Sequence, residues 1–162
     1  MDIRAVIRGV GPDKKFLLVS YNLVWGFKSG IQNGGRLIIC AGDSRSASLM
    51  SGEDRFEAVR PRSEYDELGS RFVTPSGQEV RKSDLGLVVV YAGFDFKLAI
   101  DWARILKKNR SIIVWVVACD CDWGRKKRMI EGTDIELIEA RCGGDFEMGN
   151  IAREILTATN PN

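Results

Sequence analysis

The sequence predicts a three-layer α/β/α domain built on a mainly parallel sheet of about five strands. Three observations predict it. Short, continuous apolar runs rich in β-branched residues recur along the chain, as strands covered on both faces require. Amphipathic helical segments lie between or after those runs, which is the alternation of βαβ units. With 162 residues, 44% of them hydrophobic and 28% charged, the chain suits one core better than two.

Residues 2–10 are expected to form a leading helix. Lys15-Phe-Leu-Leu-Val-Ser-Tyr21 is compact and apolar and reads as the first strand. A short helix from Leu23 to Gln32 then ends at Asn33-Gly34-Gly35. The competing reading is one buried helix from Phe16 to Ile31, preceded by a strand from Ile3 to Arg8. Gly26 and Gly30 weigh against it, since each costs about 0.5–1 kcal/mol relative to alanine inside a helix. Residues 36–41, 86–92 and 111–118 supply three further buried strands. Residues 134–139 (Asp-Ile-Glu-Leu-Ile-Glu) alternate, as in an edge strand with one wetter face.

Two helices are plain in the spacing. From Phe96 to Lys108 the apolar set is Leu98, Ala99, Trp102, Ile105 and Leu106. Lys97, Asp101, Arg104 and Lys108 take the opposite face, and Asp95 is placed to cap the first turn. The last helix presents Met148, Ile151, Ala152, Ile155 and Leu156, with Asp145 as its candidate cap. Residues 45–85 interrupt this rhythm with a charge-dense insertion. Within it, Arg71 to Arg81 reads as a β-hairpin, with Pro75 and Gly77 suited to turn positions i+1 and i+3. The expectation is a single α/β domain over 1–162, Rossmann-like or flavodoxin-like, carrying an inserted hairpin arm.

Composition narrows the function. Lys and Arg number 24 against 22 Asp and Glu, a net charge of +2. No dominant positive field exists for wrapping nucleic acid. The run Arg125-Lys-Lys-Arg128 reads as a solvated helix face. The absence of histidine removes Ser-His-Asp and Cys-His catalysis and imidazole metal ligands. The N-terminus lacks the apolar core of a signal peptide. Ile112 to Cys119, the longest apolar run, is far short of the ~20 residues of a membrane helix. Cys40, Cys119, Cys121 and Cys142 do not make a secreted disulfide framework, so a cytoplasmic protein with reduced thiols and no membrane partner is expected.

Open parallel sheets bind ligands beyond the carboxyl ends of their strands. The residues falling there are Gly42-Asp43-Ser44-Arg45, Gly93-Phe94-Asp95, the segment Cys119 to Arg125, and Arg141-Cys142-Gly143-Gly144-Asp145. Asp120 and Asp122 stand one residue apart at a strand end, a spacing that can share Mg²⁺. Together with Cys121 they are the candidate catalytic groups. The bland reading of the two carboxylates is a helix cap and a solvated loop.

The Asp-x-Asp followed by Gly124 and basic residues resembles the metal-binding motif of Toprim domains, and Val88 to Asp95 resembles their first strand. Ala92 stands where that family carries its catalytic glutamate. Asp120-Cys-Asp122 is also similar to the first motif of haloacid dehalogenase-like phosphatases, but Gly124 replaces the Thr or Val they need. Leu37 to Arg45 resembles the Gly-Asp-Ser turn of SGNH esterases, whose histidine this chain lacks. Without a base Ser44 is not activated, and Asp43 or Ser44 reads as a cap for a helix from Ser46 to Met50. None of these resemblances is adopted.

Cys-x-Cys is not a zinc knuckle, so Cys119, Cys121 and Cys142 read first as small buried apolar groups. A reactive thiol, if present, is expected at Cys121 or Cys142, where a helix N-terminus would lower its pKa. Gly42, Gly143 and Gly144 offer backbone N–H groups at helix starts, the usual anion-binding device, with Arg45, Arg125 and Arg141 nearby. The leading expectation is a domain holding a small phosphate- or nucleotide-like anion through Gly42, Asp43, Ser44, Gly93, Asp95, Arg125, Cys142, Gly143 and Gly144. The alternatives are a homo-oligomeric scaffold using Trp25, Trp102, Trp123 and the 45–85 arm, and a Mg²⁺-dependent phosphodiester enzyme using Asp120 and Asp122. The residues name no reaction.

Overall fold

The computed structural model describes residues 1–20, 37–41, 57–59, 71–73, 79–92, 96–140 and 145–159. The chain opens with helix α1 (Ile3–Gly9), which the carboxylate of Asp2 caps by accepting from the Ala5 N–H at 3.2 Å. A turn closed by Lys14 N–H on Gly11 O (3.0 Å) delivers the chain into strand β1 (Lys15–Ser20). The first of the two readings for this region therefore holds, and the long buried helix does not. The helix expected at 23–32 lies outside the described residues.

Strands β2 (Leu37–Ala41) and β3 (Glu57–Val59) follow. Strands β4 (Arg71–Val73) and β5 (Glu79–Arg81) pair antiparallel in a two-stranded sheet of their own, with Phe72 opposite Val80. The chain continues through β6 (Leu85–Tyr91), α2 (Phe96–Lys107), β7 (Ile113–Cys119), α3 (Trp123–Met129), β8 (Glu136–Ala140) and α4 (Asp145–Thr159). The main sheet runs in the order β3-β2-β1-β6-β7-β8 with every pairing parallel.

Four strands, β1, β6, β7 and β8, carry the described core, and β2 and β3 continue the sheet beyond β1. The expected count of about five is thus corrected. The added strand, Glu57–Val59, is only three residues long and sits inside the charged segment read as an insertion. No apolar run of that length can announce a strand. Counted within the sheet alone, the order is 3-2-1-4-5-6, reversing direction between β1 and β6. This agrees with a Rossmann-like arrangement and departs from the 2-1-3-4-5 order of flavodoxin-like sheets.

Strand periodicity sends alternate residues to opposite faces. Phe16, Leu18, Leu87, Val89, Trp115 and Val117 pack against Ile7 of α1 and Met148, Ile151, Ala152 and Ile155 of α4. Leu17, Val88, Val90, Val114, Val116 and Ala118 pack against Ala99, Ile100, Ala103 and Leu106 of α2. Burying each aliphatic side chain of this size contributes about 1.5–3 kcal/mol, so both faces need their helical layer. Three layers result.

The edge strand β8 departs from its expected pattern. Leu137 packs on the α2 face and Ile138 on the α1–α4 face, while Glu136 and Glu139 are exposed. Both faces at this edge take an apolar residue, because helices cover both. Asp145, expected as a cap, is the first residue of α4, and Asp95 lies outside the described residues. Among the described residues, no helix is long and apolar enough to cross a membrane.

Candidate functional site

Because β1, β2, β6, β7 and β8 are mutually parallel, the segments leaving Ser20, Ala41, Tyr91, Cys119 and Ala140 all start from one edge of the sheet. Gly42, Asp43, Ser44, Gly93, Asp95, Cys142, Gly143 and Gly144 follow those strands and lie outside the described residues. The same holds for Trp25, Arg45 and Arg141. The described part of this edge is the connection from β7 into α3.

Its backbone is tightly folded. The Ala92 N–H, one residue past β6, donates to Val117 O at 2.9 Å and holds the exit of β6 beside β7. Asp120 O accepts from the Trp123 N–H (3.1 Å), and Asp122 O accepts from the Lys126 N–H (3.0 Å). Asp122 occupies the cap position of α3 with φ 53°, in the left-handed region, and its side chain makes no capping hydrogen bond. The carboxylate therefore does not cap; the backbone conformation, not the side chain, turns the chain into the helix. Trp123 is half-buried and packs with Phe96, Ile130 and Leu137 on the α2-face core. It anchors α3 to that core.

Three residues beyond Trp123, and so on the same helix face, lies Lys126. Its Nζ donates to Cys119 O at 2.8 Å and to Cys119 Sγ at 3.2 Å, and sits 5.6 Å from the centroid of the Phe96 ring. The hydrogen bond from Lys126, then that from the Cys121 N–H, push the Cys119 thiol below its ordinary pKa, against a smaller opposing effect of burial. Cys121 is exposed and moves the other way, raised first by its hydrogen bond to Cys119 and then by the charge developing there.

Asp120, Cys121, Asp122 and Arg125 are all exposed. Among the described residues, no group of three or more Cys, Asp or Glu side chains is arranged to hold a metal ion. Of the two thiols expected as candidates, Cys121 is described and Cys142 lies outside the described residues. Cys121 sits in the turn before α3 rather than in its first turn. Sequence reasoning missed Lys126 as the group that meets Cys119. The available signal was a cysteine ending a strand and a lysine seven residues on, one turn into the next helix. No known family model matches this chain, and no curated protein is similar to it in sequence.

Proposed function

We propose that this Rossmann-like α/β domain binds a small anionic ligand, phosphate- or nucleotide-like, over the carboxyl edge of its sheet. The observation that carries the reading is the reversal of strand order between β1 and β6, which pair in parallel from Lys15–Leu85 to Val19–Val90. At such a reversal the connections leave toward opposite faces and open a crevice, the usual ligand site of open parallel sheets. Lys126 and Arg125 add positive charge along the same edge. The glycines Gly42, Gly143 and Gly144 follow β2 and β8, where free N–H groups would face an anion. The thiols fit a cytoplasmic setting. A Mg²⁺-dependent phosphodiester reaction through Asp120 and Asp122 has no third ligand among the described residues. A scaffold face has no exposed large apolar residue among them except Met1.

The test is a thermal-shift and equilibrium-dialysis series with inorganic phosphate, adenosine mono- and triphosphate, and a dinucleotide. One of these is expected to stabilise the protein saturably, by about 2.7 kcal/mol at a hundredfold excess over Kd. Gly143→Val is expected to abolish the gain and Arg125→Ala to weaken it. Absence of saturable stabilisation by all four probes removes the reading.

A further inference from the structure

The Lys126 ammonium lies 3.2 Å from Cys119 Sγ, and Cys121 follows two residues later, in the turn before α3. Cys121 is fully exposed at the rim, and Cys119 is partly so. The ammonium is itself fixed by Cys119 O and by the face of Phe96, so it does not wander from the sulfur. Anion binding at the sheet edge does not need the thiols.

We propose that Cys119 and Cys121 form a redox-active dithiol, converted reversibly to a Cys119–Cys121 disulfide by low-molecular-weight disulfides of the glutathione class. In the first step the Cys119 thiolate attacks one sulfur of the small disulfide. That S–S bond breaks, a bond forms to Cys119 Sγ, and one thiolate leaves with the electron pair and takes a proton from water. In the second step Cys121 gives its proton to solvent and its sulfur attacks Cys119 Sγ. The mixed disulfide breaks and the second small thiolate leaves. The protein is oxidised by two electrons, and one small disulfide becomes two thiols.

The arrangement also serves the return reaction. An incoming thiolate meets the exposed Cys121 sulfur, and Cys119 departs as the thiolate that Lys126 stabilises. A low-pKa leaving group speeds thiol–disulfide exchange, and a neighbouring cation is the usual way to obtain one. In a reducing compartment such pairs are transient and functional rather than structural.

The test equilibrates the full chain with oxidised and reduced glutathione at a series of ratios, traps free thiols and maps peptides by mass spectrometry. The expected product lacks two hydrogens, links Cys119 to Cys121 and reverts with excess reduced glutathione. Cys121→Ser is expected to stop at a mixed disulfide on Cys119. In a second arm, Lys126→Met is expected to slow alkylation of Cys119 several-fold below about pH 8 and to shift its pH profile upward, whereas Lys126→Arg restores most of the rate. A mapped disulfide joining Cys119 or Cys121 to Cys40 or Cys142, or no Cys119–Cys121 bond at any ratio, overturns the proposal. So does an alkylation profile of Cys119 that Lys126→Met leaves unmoved.

Discussion

At the amino edge of the sheet, three lysine ammoniums cap backbone carbonyls: Lys14 on Ser83 O, Lys82 on Ile105 O and Lys107 on Ile112 O, each at 2.7 Å. At the carboxyl edge Lys126 does the same to Cys119 O at 2.8 Å. The two edges part company over the next neighbour. Burial first, and then the charge of Lys108, push Lys82 below its ordinary pKa; its setting taxes the ammonium and offers it a carbonyl in return. Lys126 reaches a thiol and an aromatic face as well. A cation on a carbonyl supplies a hydrogen bond that the fold would otherwise lack. A cation on a sulfur also changes what the sulfur can do.

The largest effect is expected at the amino edge, where packing rather than chemistry governs. A Cβ on Gly86, the second residue of β6, would meet Val10 Cγ1 at 2.6 Å and Lys14 Cβ at 2.9 Å. Gly86→Ala is therefore expected to lower stability by about 1–3 kcal/mol, read by denaturant unfolding. An unchanged midpoint would show that the α1–β1 turn yields freely and that this edge is not tightly built.

Next in size is the direct contrast between lysines. Lys107→Met leaves Ile112 O without its ammonium and is expected to cost about 1 kcal/mol with no change in cysteine alkylation. Lys126→Met is expected to cost a similar amount and to slow alkylation of Cys119. If both variants, or neither, alter the thiol, the two edges are not different in the way described. A smaller effect is expected from Asp122→Gly. It relieves a left-handed backbone at a residue whose side chain makes no capping bond, so stability should be unchanged or rise by up to about 1 kcal/mol. A clear loss, with Mg²⁺ stabilising only the parent protein, would return Asp122 to the role of a metal ligand.

The amino-acid pattern made one edge far more legible than the other. Continuous runs such as Leu87–Val90 and Val114–Ala118 declare strands covered on both sides, because only a sandwiched strand can bury successive side chains. The spacing of Leu98, Ala99, Trp102, Ile105 and Leu106 declares the covering helix. Short strand β3 left no such trace, since three residues carry too little apolar surface to form a pattern. The site was harder still. Periodicity places Cys119 at a strand end but does not say where a lysine seven residues later will point. That depends on Trp123 packing α3 against the core under α2, and on the left-handed turn at Asp122. A carboxylate pair such as Asp120 and Asp122 has a recognisable spacing, whereas a lysine–thiol contact is made by tertiary packing.

The smallest expected effect is also the one most specific to the carboxyl edge. A thiol whose folded-state pKa lies below its unfolded value binds its proton less tightly in the native protein. Its contribution to stability is present above the unfolded pKa and is lost as pH falls through the folded one. For Cys119 the Lys126 hydrogen bond is the main cause of that lowering. The Tm difference between the parent protein and Cys119→Ser should therefore grow as pH rises from about 6 toward about 8.5, across the range where a lowered thiol ionises. Cys121 acts with the opposite sign, because its pKa is raised; its stabilisation is present at low pH and is lost only as the second proton leaves. The growth should consequently flatten or reverse in more alkaline solution. The same series on a Lys126→Met background should show little pH dependence. A difference that shrinks as pH rises through neutrality would mean that burial, not the ammonium, governs this sulfur, and the carboxyl edge would then resemble the amino one.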